Sequence, residues 1–135
     1  MGTFRAMDET WRFKAHELIK QEVLGIAVAM GAEATIHVDV GYPTVDNDES
    51  LTSAAKTLAA KYLGAGFVSE TEMRMGAEDF GYYTQRIPGC FFRLGVRNEK
   101  MGIIHNVHTP KFNIDESAIA TGVGIMAWLG ATLNY

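Results

Sequence analysis

Residues 34–48 read ATIHVDVGYPTVDND, and the pattern changes halfway through. Up to residue 40 it alternates strictly. Ala34, Ile36, Val38 and Val40 fall on one face and Thr35, His37 and Asp39 on the other, the period of a strand with one wet face. From Gly41 onward Gly, Pro, Asn and Asp take over, the composition of a linker or hinge whose end caps a following helix. Upstream, residues 1–7 read as a short extended segment. Asp8 is placed to cap a helix with apolar positions Ile19, Val23, Ile26, Ala27 and Met30 at the 3.6-residue period, and Gly31 stops it. The N-terminal part is thus strand, helix, strand, a unit too small to bury both faces of a sheet alone, and it needs a partner surface.

Downstream of the hinge, Leu51, Ala54, Ala55, Leu58 and Tyr62 form the apolar face of a second helix, with Gly64 at its C-terminal cap. A short strand is expected at 66–68. Glu78 and Asp79 favour the start of a short helix through its dipole, and Pro88-Gly89 ends it. Residues 90–94, CFFRL, read as a buried strand. The last helix is capped by Asp115 or Glu116 and presents Ile119, Val123, Met126, Ala127 and Gly130 inward. Within it Gly122 and Gly124 cost helix propensity and point to close packing on a neighbour. The expected class is α/β, in two lobes joined by a hinge: 1–42 as a strand-helix-strand domain and 48–135 as a second domain.

The bulk properties narrow the function. With 135 residues, 47% of them hydrophobic, the chain can build a packed core. A formal charge of -4, with basic residues scattered, gives no footprint for nucleic acid or an anionic membrane surface. No apolar run approaches the roughly 20 residues of a membrane span, and no export signal precedes the first helix. The expectation is a soluble, cytoplasmic protein without nucleic-acid or membrane partners. The single cysteine, Cys90, excludes an internal disulfide and sits in an apolar strand as a small hydrophobe.

Chemistry concentrates in residues 102–116, GIIHNVHTPKFNIDE. In an extended segment His105 and His108 point to opposite faces with backbones about 10 Å apart, so the two cannot chelate one metal. Spacing alone leaves open whether either is a ligand or a hydrogen-bonded loop histidine. His16, on the polar side of the first helix, and His37, on a wet strand face, read as structural. Glu78-Asp79 suits either acid/base or substrate-positioning work, or simple helix capping.

Three segments in order carry a resemblance: GTFRAMD at 2–8, MGAEDFGYY at 75–83 and VHTPKFNIDESAI at 107–119, joined by GYPTVDND and PGCFFRLG. Together they resemble the C-terminal part of the zinc-type amidohydrolases of peptidase family M20, in the branch of hippurate hydrolases and N-acyl-amino-acid amidohydrolases. The resemblance covers essentially the whole chain. It implies that 1–42 is the second half of a lid domain that commonly mediates dimerisation, and that 48–135 is the end of the catalytic domain. It further implies that His108, in the His-x-Pro segment, is a metal ligand, that Arg5 works near the substrate and that Glu78 borders the cleft. His105 falls outside the motif.

The other ligands and the general base of such enzymes belong to an N-terminal portion. The chain is therefore expected to be a C-terminal fragment of a metal-dependent amidohydrolase or peptidase acting on N-acyl amino acids or small peptides. It is expected to lack activity alone and to bind no metal by itself, the complete enzyme using zinc, manganese or cobalt. A homodimer through the lid half is expected. The alternative is a non-catalytic dimerisation or regulatory module of the same architecture.

Overall fold

The structure is a computed structural model that describes residues 1–133. Four α-helices dominate: α1 (Glu9–Ala29), α2 (Glu49–Leu63), the short α3 (Gly81–Thr84) and α4 (Ser117–Thr132). Two 3₁₀ turns, Ala65–Phe67 and Glu99–Met101, lie between them. The chain divides into two compact units, Met1–Asp46 with Glu72–Pro88, and Asn47–Thr71 with Gly89–Tyr135. This division assigns 72–88 to the first unit, whereas the sequence grouped those residues with the C-terminal domain.

In the first unit, the Asp8 side chain accepts a hydrogen bond from the Trp11 amide and starts α1, and Gly31 follows its end with φ 70°. The buried face is Arg12, Ala15 and His16. Arg12 is buried with its charge because Glu9, one turn earlier, pairs with it while Arg12 Nη1 donates to the carbonyl of Val40. Glu9 Oε1 in turn accepts from both the amide and the hydroxyl of Thr44, each at 2.8 Å. These bonds clasp residues 40–44 onto the first turns of α1.

The other side of that segment meets α3. A Cβ on Gly81 would lie 2.4 Å from the Pro43 carbonyl oxygen, so only glycine permits the approach. Tyr42 and Tyr82 meet edge to face at 6.0 Å, Gln85 Nε2 donates to the Thr44 carbonyl, and the Asp46 amide donates to Thr84 Oγ1. Residues 41–46 of the stretch read as a linker or hinge thus belong to the first unit and are bonded within it.

The second unit is built on α2 and α4. Asp48 caps α2 by accepting from the Leu51 amide at 2.7 Å, and Gly64 ends it with φ 95°. Ala55 of α2 packs with Ile125 and Leu129 of α4, flanked by Leu58, Ala59, Leu63, Cys90 and Trp128. The Trp128 indole donates to the Leu58 carbonyl at 3.1 Å and its ring stacks on Tyr62 at 5.9 Å. Gly124 makes room for that tyrosine, since a Cβ there would lie 2.1 Å from the Tyr62 hydroxyl oxygen; Gly122 faces Leu94 in the same way. The close packing expected at both glycines is present.

Several sequence expectations are corrected. Residues 34–40 and 90–94 form no ladder; the isolated bridge among the described residues joins Asn98 and Ile103. Alternation identifies a face, but a strand exists only when a neighbouring backbone pairs with it. Residues 65–67 form a 3₁₀ turn where a strand was expected from 66. His16 is not on a polar face: it is buried between Phe4 and Phe13, which meet its ring edge-on at 6.3 and 6.0 Å.

The inner faces also differ from the reading. In α1, Val23, Ile26 and Met30 are exposed, because the clasped segment covers the first turns of the helix. In α4, Ile119, Val123 and Met126 are exposed while Ile125, Leu129 and the two packed glycines face inward. That helix is apolar on nearly every side, so its period selects no face, and the smallest residues decide where a neighbour can approach.

Two measurements test this packing. Gly81→Ala should destabilise the chain by about 1–3 kcal/mol in thermal unfolding, because the contact is with backbone that cannot step aside. Gly130→Ala, where a Cβ meets nothing within 4 Å, should be neutral or stabilising by about 0.5–1 kcal/mol.

The clasp also titrates. Burial raises the Glu9 pKa, but hydrogen bonds from Arg12 and Thr44 outweigh it and hold the carboxyl below its ordinary 4.5. Its contribution is complete above that value and is lost as pH falls through the lowered folded value. Exchange of the Thr44 amide should accelerate in that acid range, and Glu9→Gln should abolish the pH dependence.

Candidate active site

Arg5 and Glu78 belong to the first unit. Arg5 is exposed, and its Nη1 donates to the Met75 carbonyl at 3.1 Å, which holds the guanidinium on the 75–78 loop. Glu78 is half-buried, and its carbonyl accepts from the Gly81 amide in the turn that opens α3. Since Gly81 is packed on Pro43, the end of this loop is anchored to the clasped segment. The structure thus brings Arg5 to the loop that carries Glu78. An arginine fork held by one of its donors on this loop suits recognition of an anionic group.

His108 belongs to the second unit and is exposed, as is His105. Among the described residues it is the one non-glycine residue with positive φ, at 64°. Histidine tolerates this left-handed conformation better than branched residues do, at a cost of about 1–2 kcal/mol. The turn around it is held by Thr109 Oγ1 donating to the Asn106 carbonyl at 2.9 Å and the Phe112 amide donating to the Thr109 carbonyl at 3.1 Å. Pro110 keeps Thr109 out of helical conformation. His108 therefore stands at an exposed turn with its backbone fixed by local bonds.

The base of this loop is closed by two residues that the sequence reading did not assign to the site. Asn98 pairs its backbone with Ile103 in both directions, accepts from the Met101 amide through Oδ1, and donates Nδ2 to Asp115 Oδ2 at 2.6 Å. Asp115 donates its amide to the Val96 carbonyl and accepts from the Ser117 amide through Oδ1. The hydrogen bond from Asn98, then those from Ser117, hold the Asp115 carboxyl below its usual value. The sequence offered Asp115 or Glu116 as the cap of α4: Glu116 takes the cap position without a side-chain bond, while Asp115 accepts from the Ser117 amide; nothing in the spacing pointed to Asn98.

Among the described residues no three His, Cys, Asp or Glu side chains form a group that could hold a divalent ion. A catalytic zinc takes three protein ligands and a structural one four, so His108 with its described neighbours does not make a complete site.

Comparison with known proteins supplies the class. Residues 5–129 match peptidase family M20/M25/M40, and the chain belongs to that family. It is 39% identical over 123 residues to thermostable carboxypeptidase 1 of Saccharolobus solfataricus, covering 90% of this chain and 30% of that protein. It is 30% identical over 130 residues to an IAA-amino acid hydrolase of Arabidopsis thaliana, covering 93% of this chain and 28% of that protein. An N-acetyldiaminopimelate deacetylase of Bacillus subtilis is 32% identical over 125 residues, covering 93% and 32% respectively. The chain thus spans less than a third of the length of these curated relatives. No solved structure shows a significant match. Membership of that family fits a mixed fold. No helix among the described residues is long and apolar enough to cross a membrane.

The left-handed backbone at His108 gives a test that separates its side chain from its conformation. His108→Gly should leave thermal stability unchanged or raise it by up to about 1 kcal/mol, because glycine adopts this φ freely. A clear loss of stability would mean that the imidazole itself holds the turn.

Proposed function

We propose that this chain supplies the C-terminal part of a metal-dependent amidohydrolase that hydrolyses the amide bond of N-acyl amino acids or small peptides. The observation that carries the reading is the family match over 5–129, which includes the His-Thr-Pro segment with His108 exposed in a left-handed turn. In this reading His108 is a metal ligand, Arg5 pairs with the substrate carboxylate and Glu78 lines the cleft. The names of the relatives favour the substrate class, since they describe hydrolysis of amino-acid conjugates, peptides and N-acetylated amino acids.

The complete protein takes zinc, manganese or cobalt, with the remaining ligands and the general base coming from outside these 135 residues. There the metal would activate water for attack on the amide. Here the roles are local: His108 presents an imidazole nitrogen, and Arg5 offers a bidentate fork to an anion. The complete fold is α/β in two lobes, with 1–42 as half of a lid and 48–135 as the end of the catalytic domain. The protein is cytoplasmic and forms a homodimer through the lid half, by the segment at 35–40 or by α1. The exposed Val23, Ile26, Val28 and Met30 favour α1 as the contact.

The purified chain should show no hydrolysis of N-acyl amino acids when zinc, manganese or cobalt is added; metal-dependent turnover would refute the reading. When the chain is part of the complete protein, His108→Ala should remove most activity and weaken metal binding, with His105→Ala doing much less. Equal losses would overturn the assignment. Light scattering should find a dimer, and a monomer over a broad concentration range would refute the lid-half contact.

A further inference from the structure

We propose that Asn98 and Asp115 form a latch that positions His108, and that Asn98 is a positioning residue for the site. The proposal rests on the reading above that the His108 imidazole serves the site, but the latch itself can be tested without activity. Two arms enclose the histidine turn. One is the hairpin of Asn98 and Ile103 around the 3₁₀ turn Glu99–Met101, and the other is the start of α4. The bond from Asn98 Nδ2 to Asp115 Oδ2, at 2.6 Å, joins them side chain to side chain. Beside it the Asp115 amide bonds the Val96 carbonyl at 2.9 Å, and Arg97 Nη1 bonds the Ile104 carbonyl at 3.1 Å.

Donor and acceptor roles in the latch are fixed on both sides. Asn98 Oδ1 already accepts from the Met101 amide, so its Nδ2 must be the atom turned to Asp115. Asp115 Oδ1 already accepts from the Ser117 amide, leaving Oδ2 for Asn98. A neutral amide and a carboxylate thus meet in one orientation, and the bond is charge-assisted. Tying the two ends reduces the freedom of the intervening residues. Within the closed loop, His108 is held in a backbone conformation that a free chain seldom visits.

This polarity yields a decisive exchange of residues. Asn98→Asp sets two carboxylates against each other. Asp115→Asn leaves one amide oxygen to serve both the Ser117 amide and Asn98. The double variant Asn98→Asp with Asp115→Asn restores all three bonds with the central one reversed. Proton NMR of the 135-residue chain would follow the His108 Hε1 resonance, the exchange of the Ile103 and Asp115 amides, and the Trp128 indole proton as a monitor of the α2 and α4 core.

Each single variant should shift or broaden the His108 resonance and speed the two amides about tenfold, as expected for loss of a charge-assisted bond. The Trp128 indole should stay in place, and the double variant should return both readouts to within about twofold of the original. Unchanged His108 and amide signals in the single variants would overturn the proposal. So would failure of the double variant to restore them, or a Trp128 shift accompanying the loss, which would make the pair a general support of the fold. A His108→Ala variant with full activity in the complete protein would refute the site reading alone, leaving the latch to stand on these signals.

Discussion

Backbone amides and carbonyls outside helices must find partners, and in this chain side chains supply many of them. Arg12 bonds the Val40 carbonyl, Glu9 the Thr44 amide, Thr84 the Asp46 amide and Gln85 the Thr44 carbonyl. Asn47 does so twice for one residue, donating Nδ2 to the Phe91 carbonyl at 2.9 Å and accepting from the Phe91 amide at 2.7 Å, as an adjacent strand would. Arg5 and Arg97 serve Met75 and Ile104 in the same way. An unsatisfied buried backbone group costs on the order of a hydrogen bond. The irregular segments are therefore ordered in part by a few polar side chains, the part-buried bonds of Arg12 and Glu9 foremost.

This arrangement explains why charge is buried where apolar residues were expected. Arg12 can be desolvated because Glu9 neutralises it and Val40 accepts from it; without either it would be an uncompensated buried cation. The same pair turns a Gly- and Pro-containing segment from a connector into a structural centre. Pro43 and Gly81 complete the effect through shape, one presenting a carbonyl and the other lacking the atom that would collide with it.

Local signals in the sequence were legible where the physics is local. Asp8 and Asp48 cap helices, Gly31 and Gly64 end them, and each acts within a few residues of its position. Gly122 and Gly124 announced close packing because glycine inside a helix needs a compensating reason. Faces were harder to read. The apolar surface of α4 runs around most of the helix, so periodicity could not separate Ile125 and Leu129 from Val123 and Met126. At the site, His108 stood out through its motif, whereas the role of Asn98 arises only when the chain folds back to Asp115. A contact between residues so far apart in sequence leaves no trace in local pattern.

The distribution of tryptophan has a practical consequence. The chain has two, Trp11 in the first unit and Trp128 in the second. Trp11 is 49% exposed beside the Lys14 ammonium, whereas Trp128 is half-buried, stacked on Tyr62 and bonded through its indole nitrogen. Their emission is accordingly sensitive to different surroundings, one largely aqueous and one largely apolar. Replacing either by phenylalanine leaves a tryptophan, which can be excited selectively over the tyrosines, in one unit only. The melting of the clasped segment and that of the helical pair then become separately visible, in a chain whose circular dichroism sums over both.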